Sequence, residues 1–276
     1  MNCLEVWENE LNVDYNFIRE YFYPVRSSVF LDKMESGETF SYINLGDLEW
    51  KIMMRNGGNV EQDFVPKLQD DLFDVVLEGN IANLYIAFSE KLMKVKHIHN
   101  DVKEFLQSIG PIGYKFVDAD IFNNILRYEQ PNHFRQMGLW KTIYMDSIIH
   151  IGNEEIINLN PFMFVPLERV IIEKRNCYAD YNDIKQKILD IDSRYPTKKL
   201  LFYFCCSATA PVLIKDLHTI LQGRHYLIDM GSYFDSFLGF ASRTPSRCMK
   251  QFLFDTYRNC QTKSNVNEIE DRSMST

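Results

Sequence analysis

Of 276 residues only 12 are glycine and 9 are proline. Collagen-like and low-complexity chains carry far more of both, so those classes are excluded. Nor do the glycines gather. Gly46 stands alone after a strand-like run, and Gly57-Gly58 follows a helix-like one. A methyltransferase or dehydrogenase of the dinucleotide-binding kind needs a glycine-rich first strand-to-helix turn, and this chain has none. Long hydrophobic runs are missing too. The longest uncharged stretch, Leu200–Ile214, has 15 residues and contains Pro211, whereas a membrane-spanning helix needs about 20. Met1–Glu10 carries three glutamates and no apolar segment, unlike a signal peptide. The six cysteines (Cys3, Cys177, Cys205, Cys206, Cys248 and Cys260) include no CxxC pair. They read as structural thiols rather than disulfides or zinc ligands. The expectation is a soluble, cytoplasmic protein without a membrane span. Positive charge is also in deficit: 30 Lys and Arg against 38 Asp and Glu give a net charge of -8. Such a chain repels a phosphate backbone at long range, so no nucleic-acid partner is expected. A small phosphorylated ligand is still allowed, because a bound cation reverses the local field.

What the chain does have is apolar mass, 46% hydrophobic and 14% aromatic with 20 Phe and 15 Tyr. Apolar spacing predicts helices over Trp7–Tyr23, Asp47–Arg55, Asp63–Glu78, Asp120–Arg127, Tyr181–Ile191 and Ala210–Leu221. Short apolar or β-branched runs predict strands over Thr39–Leu45, Asn83–Phe88, Lys141–His150, Arg169–Glu173, Leu200–Cys206 and His225–Met230. The segment Ser89–Gly113 reads as partly helical. Strands alternating with helices predict an α/β fold, Rossmann-like, with a mostly parallel sheet and helices on both faces. Residues 1–260 read as one domain, with 1–38 as an N-terminal helical extension. Residues 261–276 are nearly devoid of apolar side chains and read as a disordered tail.

Three strand ends carry chemistry. Gly46-Asp47-Leu48-Glu49 puts two carboxylates just past a strand, where α/β sheets bind ligands. An Asp-x-Glu pair there supplies hard oxygen ligands for Mg2+ or Mn2+. It equally serves as a helix cap, with Asp47 at the start and Glu49 in the first turn. Ser207-Ala208-Thr209-Ala210-Pro211 joins an apolar strand to a helix through small residues. That layout suits an anion at the helix start, or only a tightly packed turn. Lys174-Arg175-Asn176-Cys177 follows a third strand. Asn176 is placed to read a base edge or ribose hydroxyl, or to make an Asx-type turn.

In this order the motifs resemble the glycosyltransferases of the GT-D fold, the bacterial family that glucosylates serine-rich adhesins. That family ends a strand in Arg-x-Gly-Asp-Gly-Glu. This chain reads Asn44-Leu45-Gly46-Asp47-Leu48-Glu49, keeping the Asp-x-Glu pair but not the Arg or the second Gly. An Asn-Ala-Phe-type turn corresponds to Asn176-Cys177-Tyr178. A Gly-Pro-Thr-Ala turn corresponds to Ser207-Ala208-Thr209-Ala210, followed by Asp216-Leu217. Asp-Ile-Gly-His corresponds to Asp229-Met230-Gly231-Ser232. The resemblance covers Thr39–Phe240. It implies metal-assisted transfer from a UDP-sugar donor to a sugar hydroxyl on a glycan or glycoprotein acceptor, with UDP-glucose as the family's lead; no motif here separates it from UDP-xylose, and inversion is the expected outcome. By carry-over, Gly46, Asp47, Glu49, Asn176, Ser207 and Thr209 bind the nucleotide sugar, and Asp47 and Glu49 hold Mn2+ or Mg2+.

An inverting transferase also needs a base for the acceptor hydroxyl. Asp235, just past the last strand, is the first candidate and Asp229 the second. Glu49 is a third if only Asp47 touches metal. Two alternatives stand beside this reading: a non-catalytic carbohydrate- or nucleotide-binding protein, and another nucleotide-dependent transferase.

Overall fold

The apolar runs read as strands pair side by side in the computed structural model. It describes residues 20–23, 25–54, 62–88, 96–110, 112–119, 121–122, 135–136, 138–140, 142–144, 146–154, 166–231 and 233. Asp235, the predicted tail and most of the predicted helix Trp7–Tyr23 lie outside these. Chain contacts separate a larger unit, residues 1–154 and 163–231, from a smaller one, 155–162 and 232–276. The geometry described below is that of the larger unit.

Its strands are β1 (Ser41–Leu45), β2 (Leu84–Phe88), β3 (Val117–Asp118), β4 (Ile148–Gly152), β5 (Glu168–Ile171), β6 (Leu201–Phe204) and β7 (Tyr226–Asp229). They form one sheet in the order β3-β2-β1-β7-β6-β4-β5, parallel at every pairing. This is the arrangement the alternation of strands and helices predicts. The helices are α1 (Ser27–Ser36), α2 (Asp47–Met53), α3 (Pro66–Leu77), α4 (Lys96–Ile109), α5 (Tyr181–Arg194) and α6 (Thr209–Ile220). A 3₁₀ turn, Cys177–Asp180, precedes α5.

Side chains alternate across the pleat. One face carries Ile43, Leu45, Ile86, Phe88, Ile149, Ile151, Phe202, Phe204 and Leu227 into a core shared with the faces of α2 to α6. The other presents Tyr42 and Tyr85, against which Phe30 of α1 stands edge-on at 5.5 and 5.1 Å between ring centroids. Helices therefore cover both faces. The connections β1-β2, β2-β3, β5-β6 and β6-β7 all step toward the β3 edge. Right-handed crossovers place their helices on one face, and α6 packs against both α3 and α5 there. The connections β3-β4 and β4-β5 step the other way, so beyond β6 the chain leads toward one edge and beyond β4 toward the other, and the order reverses between β4 and β6.

Four local differences from the sequence pattern have physical causes. Helix α1 falls within the segment 1–38 read as a helical extension, but its bounds are not foreseen: its apolar face, Phe30, Leu31 and Met34, is short and broken up by Asp32, Lys33 and Glu35. It ends where Gly37 takes a left-handed φ of +73°, the C-terminal stop that glycine favours. The two-residue strand β3 is too short to leave a periodic signal. The predicted strand Lys141–His150 begins only at Ile148. Before it comes a helical turn in which the Ile143 N–H bonds to the Leu139 carbonyl at 2.9 Å. That turn buries Trp140 and Tyr144 and leaves Ile143 exposed, a choice the β-branched composition does not reveal. Strand β5 ends at Ile171, and as an edge strand it leaves that side chain 43% exposed rather than buried.

Candidate functional site

The C-terminal ends of β1, β7, β6 and β4 lie side by side along one edge of the sheet. In open parallel sheets a crevice forms beyond the strand ends where the order reverses. Here that point falls between β4 and β6, flanked by Gly152-Asn153 and by Cys205-Cys206-Ser207. Strand β1, with the Asp-x-Glu pair, is two strands from β6, roughly 10 Å at ordinary strand spacing. An elongated ligand spans such a distance.

At the end of β1, Gly46 is the N-cap of α2, and its N–H donates to Glu49 Oε2 at 2.8 Å. This is the carboxylate half of a capping box. Glu49 is buried, and a Cβ added to Gly46 would come within 3.0 Å of its Oε2. Asp47 points the other way, into solvent. Its side chain is 50% exposed, with Lys51 Nζ at 3.4 Å. The structure therefore splits the pair: Glu49 is held by the backbone and Asp47 is open.

At the end of β7 the buried Asp229 accepts from two amides, Asn44 N–H at 3.3 Å through Oδ2 and Gly231 N–H at 3.0 Å through Oδ1. It ties the β1 end to the loop after β7, where Gly231 has a φ of +50°, a region most side chains avoid. The sequence therefore brings together Gly46, Asp47, Glu49, Asp229 and Gly231. Asp229→Ala removes two charge-assisted bonds and leaves two amides unsatisfied. A stability loss of about 2–3 kcal/mol is expected, read from urea unfolding; a loss below about 0.5 kcal/mol would show the fastening to be dispensable.

The β6 end is built differently. Ser207 takes a φ of +51° and the chain enters α6 at Thr209. Thr209 is fully buried, its hydroxyl 3.1 Å from Cys177 Sγ, and that thiol donates to the Cys206 carbonyl at 3.0 Å. Asn176 also has a left-handed φ, +57°. Its side chain accepts from Asp63 N–H and donates to Asp63 Oδ2, both at 2.7 Å. Thr209 and Asn176 thus make protein contacts that pin the β6 and β5 turns. The strand-order reversal, and with it Cys205, is what sequence reading missed. Each strand is legible singly, but no local signal orders β6 between β4 and β7. Behind this edge His150 is buried on β4, 3.8 Å from Cys205 Sγ. Burial, reinforced by Arg169, lowers its pKa to about 3, so it is neutral at physiological pH.

The donor set tests the implied cation. Among the described residues no group of three His, Cys, Asp or Glu is placed to hold a metal ion. One open carboxylate suits a magnesium-type ion that takes its remaining oxygens from water and substrate phosphates. It does not make a closed protein cage. Among the described residues no helix is long and apolar enough to cross a membrane.

No protein-family model matches the chain, and no curated protein does. Solved structures do. A glycosyltransferase of the domain of unknown function 1792 from Streptococcus sanguinis superposes with a TM-score of 0.60 at 17% identity, covering 81% of this chain and 87% of that one. A selenomethionine-substituted structure of the same domain gives 0.55 at 16%, covering 80% and 82%. A third, described as a distinct glycosyltransferase fold, gives 0.53 at 16% over the same shares, 80% and 82%. At such identities the likeness carries the fold: the chain has the GT-D glycosyltransferase fold.

Proposed function

We propose that this chain is a glycosyltransferase that moves a sugar, glucose or xylose, from a UDP-sugar to a hydroxyl of a glycan or glycoprotein acceptor, with inversion. The observation that carries the reading is the open Asp47 carboxylate at the end of a central strand of a GT-D fold, held in place by the Gly46–Glu49 cap. The nucleotide side of the donor lies toward the Ser207 turn and the start of α6, and the diphosphate reaches toward Asp47. Asp47 is the residue that would hold Mn2+ or Mg2+, and such a cation, when bound, neutralises the departing diphosphate.

Asp47 binds and orients the donor. Glu49 and Asp229 hold the Gly46 and Gly231 backbones that frame it. Since amides engage both Asp229 oxygens, Asp229 serves the loop, and the candidate for the base is still Asp235 from the sequence alone, outside the described residues. The acceptor hydroxyl gives its proton to the carboxylate base. Its oxygen bonds to the anomeric carbon, and the bond from that carbon to the β-phosphate oxygen breaks, releasing UDP.

Incubation with a panel of nucleotide sugars and Mn2+, without acceptor, tests this. Slow release of UDP from a UDP-sugar is expected. Binding of UDP-sugars with no turnover, with or without glycan acceptors, would instead favour a carbohydrate- or nucleotide-binding protein.

A further inference from the structure

The two side edges of the sheet end differently. On the β3 side the edge is covered: Phe116 N–H donates to the Tyr21 carbonyl and the Phe116 carbonyl accepts from Tyr23 N–H, both at 2.8 Å. On the other side β5 is the last strand, and β4 is its only sheet partner among the described residues. Just past β5, Ile172 donates its N–H to the Gly152 carbonyl of β4 at 3.0 Å. Backbone polar groups of successive residues along a ladder point to opposite sides, so those of Arg169, Ile171 and Glu173 point away from β4. Their side chains share one face, and all three are exposed, Ile171 at 43%. No glycine or proline interrupts Glu168 to Glu173, and the chain bends only at Lys174. Outward amides beside an exposed β-branched side chain are a template for another strand.

The charges around Ile171 select the occupant. Arg169 lies two residues before it and Glu173 two residues after it. Laid antiparallel on itself about a two-fold axis through Ile171, the segment sets Arg169 opposite Glu173 of the second copy, Ile171 opposite Ile171, and Glu173 opposite Arg169. These are the residues whose amides face outward, so each opposed pair is also a hydrogen-bonded one. Opposite charges directly across a ladder stabilise it, as do paired β-branched side chains, and like charges destabilise it. The adjacent registers set a charge against Ile171 instead, so the register is specified. We propose that β5 is an interface between two copies of this chain, which pair antiparallel across Ile171 and join their sheets into one. The contact is isologous and closed: each copy covers the open edge of the other. Strand direction reverses across the dyad, so the strand ends leading to Gly46 and Ser207 face opposite ways in the two copies. The inference stands independently of the transferase reading.

Sedimentation equilibrium of the full chain tests this. One short strand pairing buries less than a standard interface, so a monomer–dimer equilibrium with a dissociation constant of about 100 μM or tighter is expected. Arg169→Glu and Glu173→Arg each put two like-charge pairs at the dyad, and each should weaken the dimer about tenfold or more. The double variant Arg169→Glu/Glu173→Arg exchanges the charges and should dimerise within about threefold of the parent. An equimolar mixture of the two single variants should also recover association, because each then meets the opposite charge on the other. Such recovery cannot come from a folding defect, and thermal melts of the variants should match the parent. A chain that stays monomeric up to about 500 μM, single reversals that leave the dimer unchanged, or a mixture of folded single variants that fails to recover would overturn the proposal.

Discussion

Replacing Asp47 with asparagine is expected to lower sugar transfer, or donor hydrolysis where no acceptor is present, about a hundredfold or more. Unfolding stability should change by less than about 1 kcal/mol. The two halves of that expectation come from different observations. Loss of a single preorganised electrostatic contact to a developing charge costs roughly two to three powers of ten in turnover. Asp47 is the carboxylate at this strand end left open by the fold. The small effect on stability follows from its exposure. Its pairing with Lys51 is a surface pair worth about 1 kcal/mol at most, and Asn is as good a residue near a helix start. Parallel measurement of initial rates and urea unfolding checks both. A rate within threefold of the parent would remove Asp47 from the donor site. A large stability loss would recast it as a capping residue.

The contrast with Glu49 shows what the sequence does and does not reveal. Gly-Asp-Leu-Glu after an apolar strand supports both a metal pair and a helix cap, since both need carboxylates at a strand-to-helix turn. The structure divides the two meanings between the two residues, and only the direction of each side chain decides which is which. The parallel sheet was legible for a different reason. Apolar runs such as Leu201–Phe204, buried on both faces, look unlike amphipathic helices such as Pro66–Leu77, whose buried positions recur at helical spacing. Strand order was not legible, because placing β6 between β4 and β7 depends on contacts distant in the chain. Helix α1 was legible only as part of a helical extension over 1–38 and not by its bounds, because its charged face interrupts a short apolar one. Asn176 and Thr209 were legible as turn residues. Their partners, Asp63 and Cys177, were not, since each lies across the fold.

Acid is expected to destabilise the chain well above the pH at which carboxylates titrate, with stability falling between about pH 6.5 and pH 4. Three histidines are buried in neutral form. His225 Nδ1 accepts from Leu200 N–H at 3.0 Å, so its proton sits on Nε2, 2.6 Å from Asp192 Oδ1. A second proton has to enter at Nδ1, where that N–H already points. Asp192 offers little compensation because Arg224 pairs with the same carboxylate. Burial, followed by the charge of Arg224, lowers the His225 pKa to about 4. His150 is lowered further, to about 3, by burial and then Arg169. His218 donates Nε2–H to the Ala82 carbonyl at 3.0 Å and meets the Ser41 hydroxyl at 2.8 Å through Nδ1. Burial lowers its pKa as well, against the opposing pull of the Ala82 carbonyl. In the unfolded chain all three take up protons near pH 6.5. Below that pH the unfolded state binds more protons than the folded one, so unfolding becomes progressively easier. His225 and His150 each contribute roughly 1 kcal/mol per pH unit across their windows. The His225 contribution is lost in full near its folded value of about 4, and that of His150 near about 3. Urea unfolding at pH 7 and pH 5 should differ by at least about 3 kcal/mol. His225→Gln should be less stable at pH 7 yet lose less on acidification, by roughly 1 kcal/mol per pH unit. A flat stability profile between pH 7 and 5, or an unchanged slope in that variant, would show that these imidazoles accept protons inside the fold.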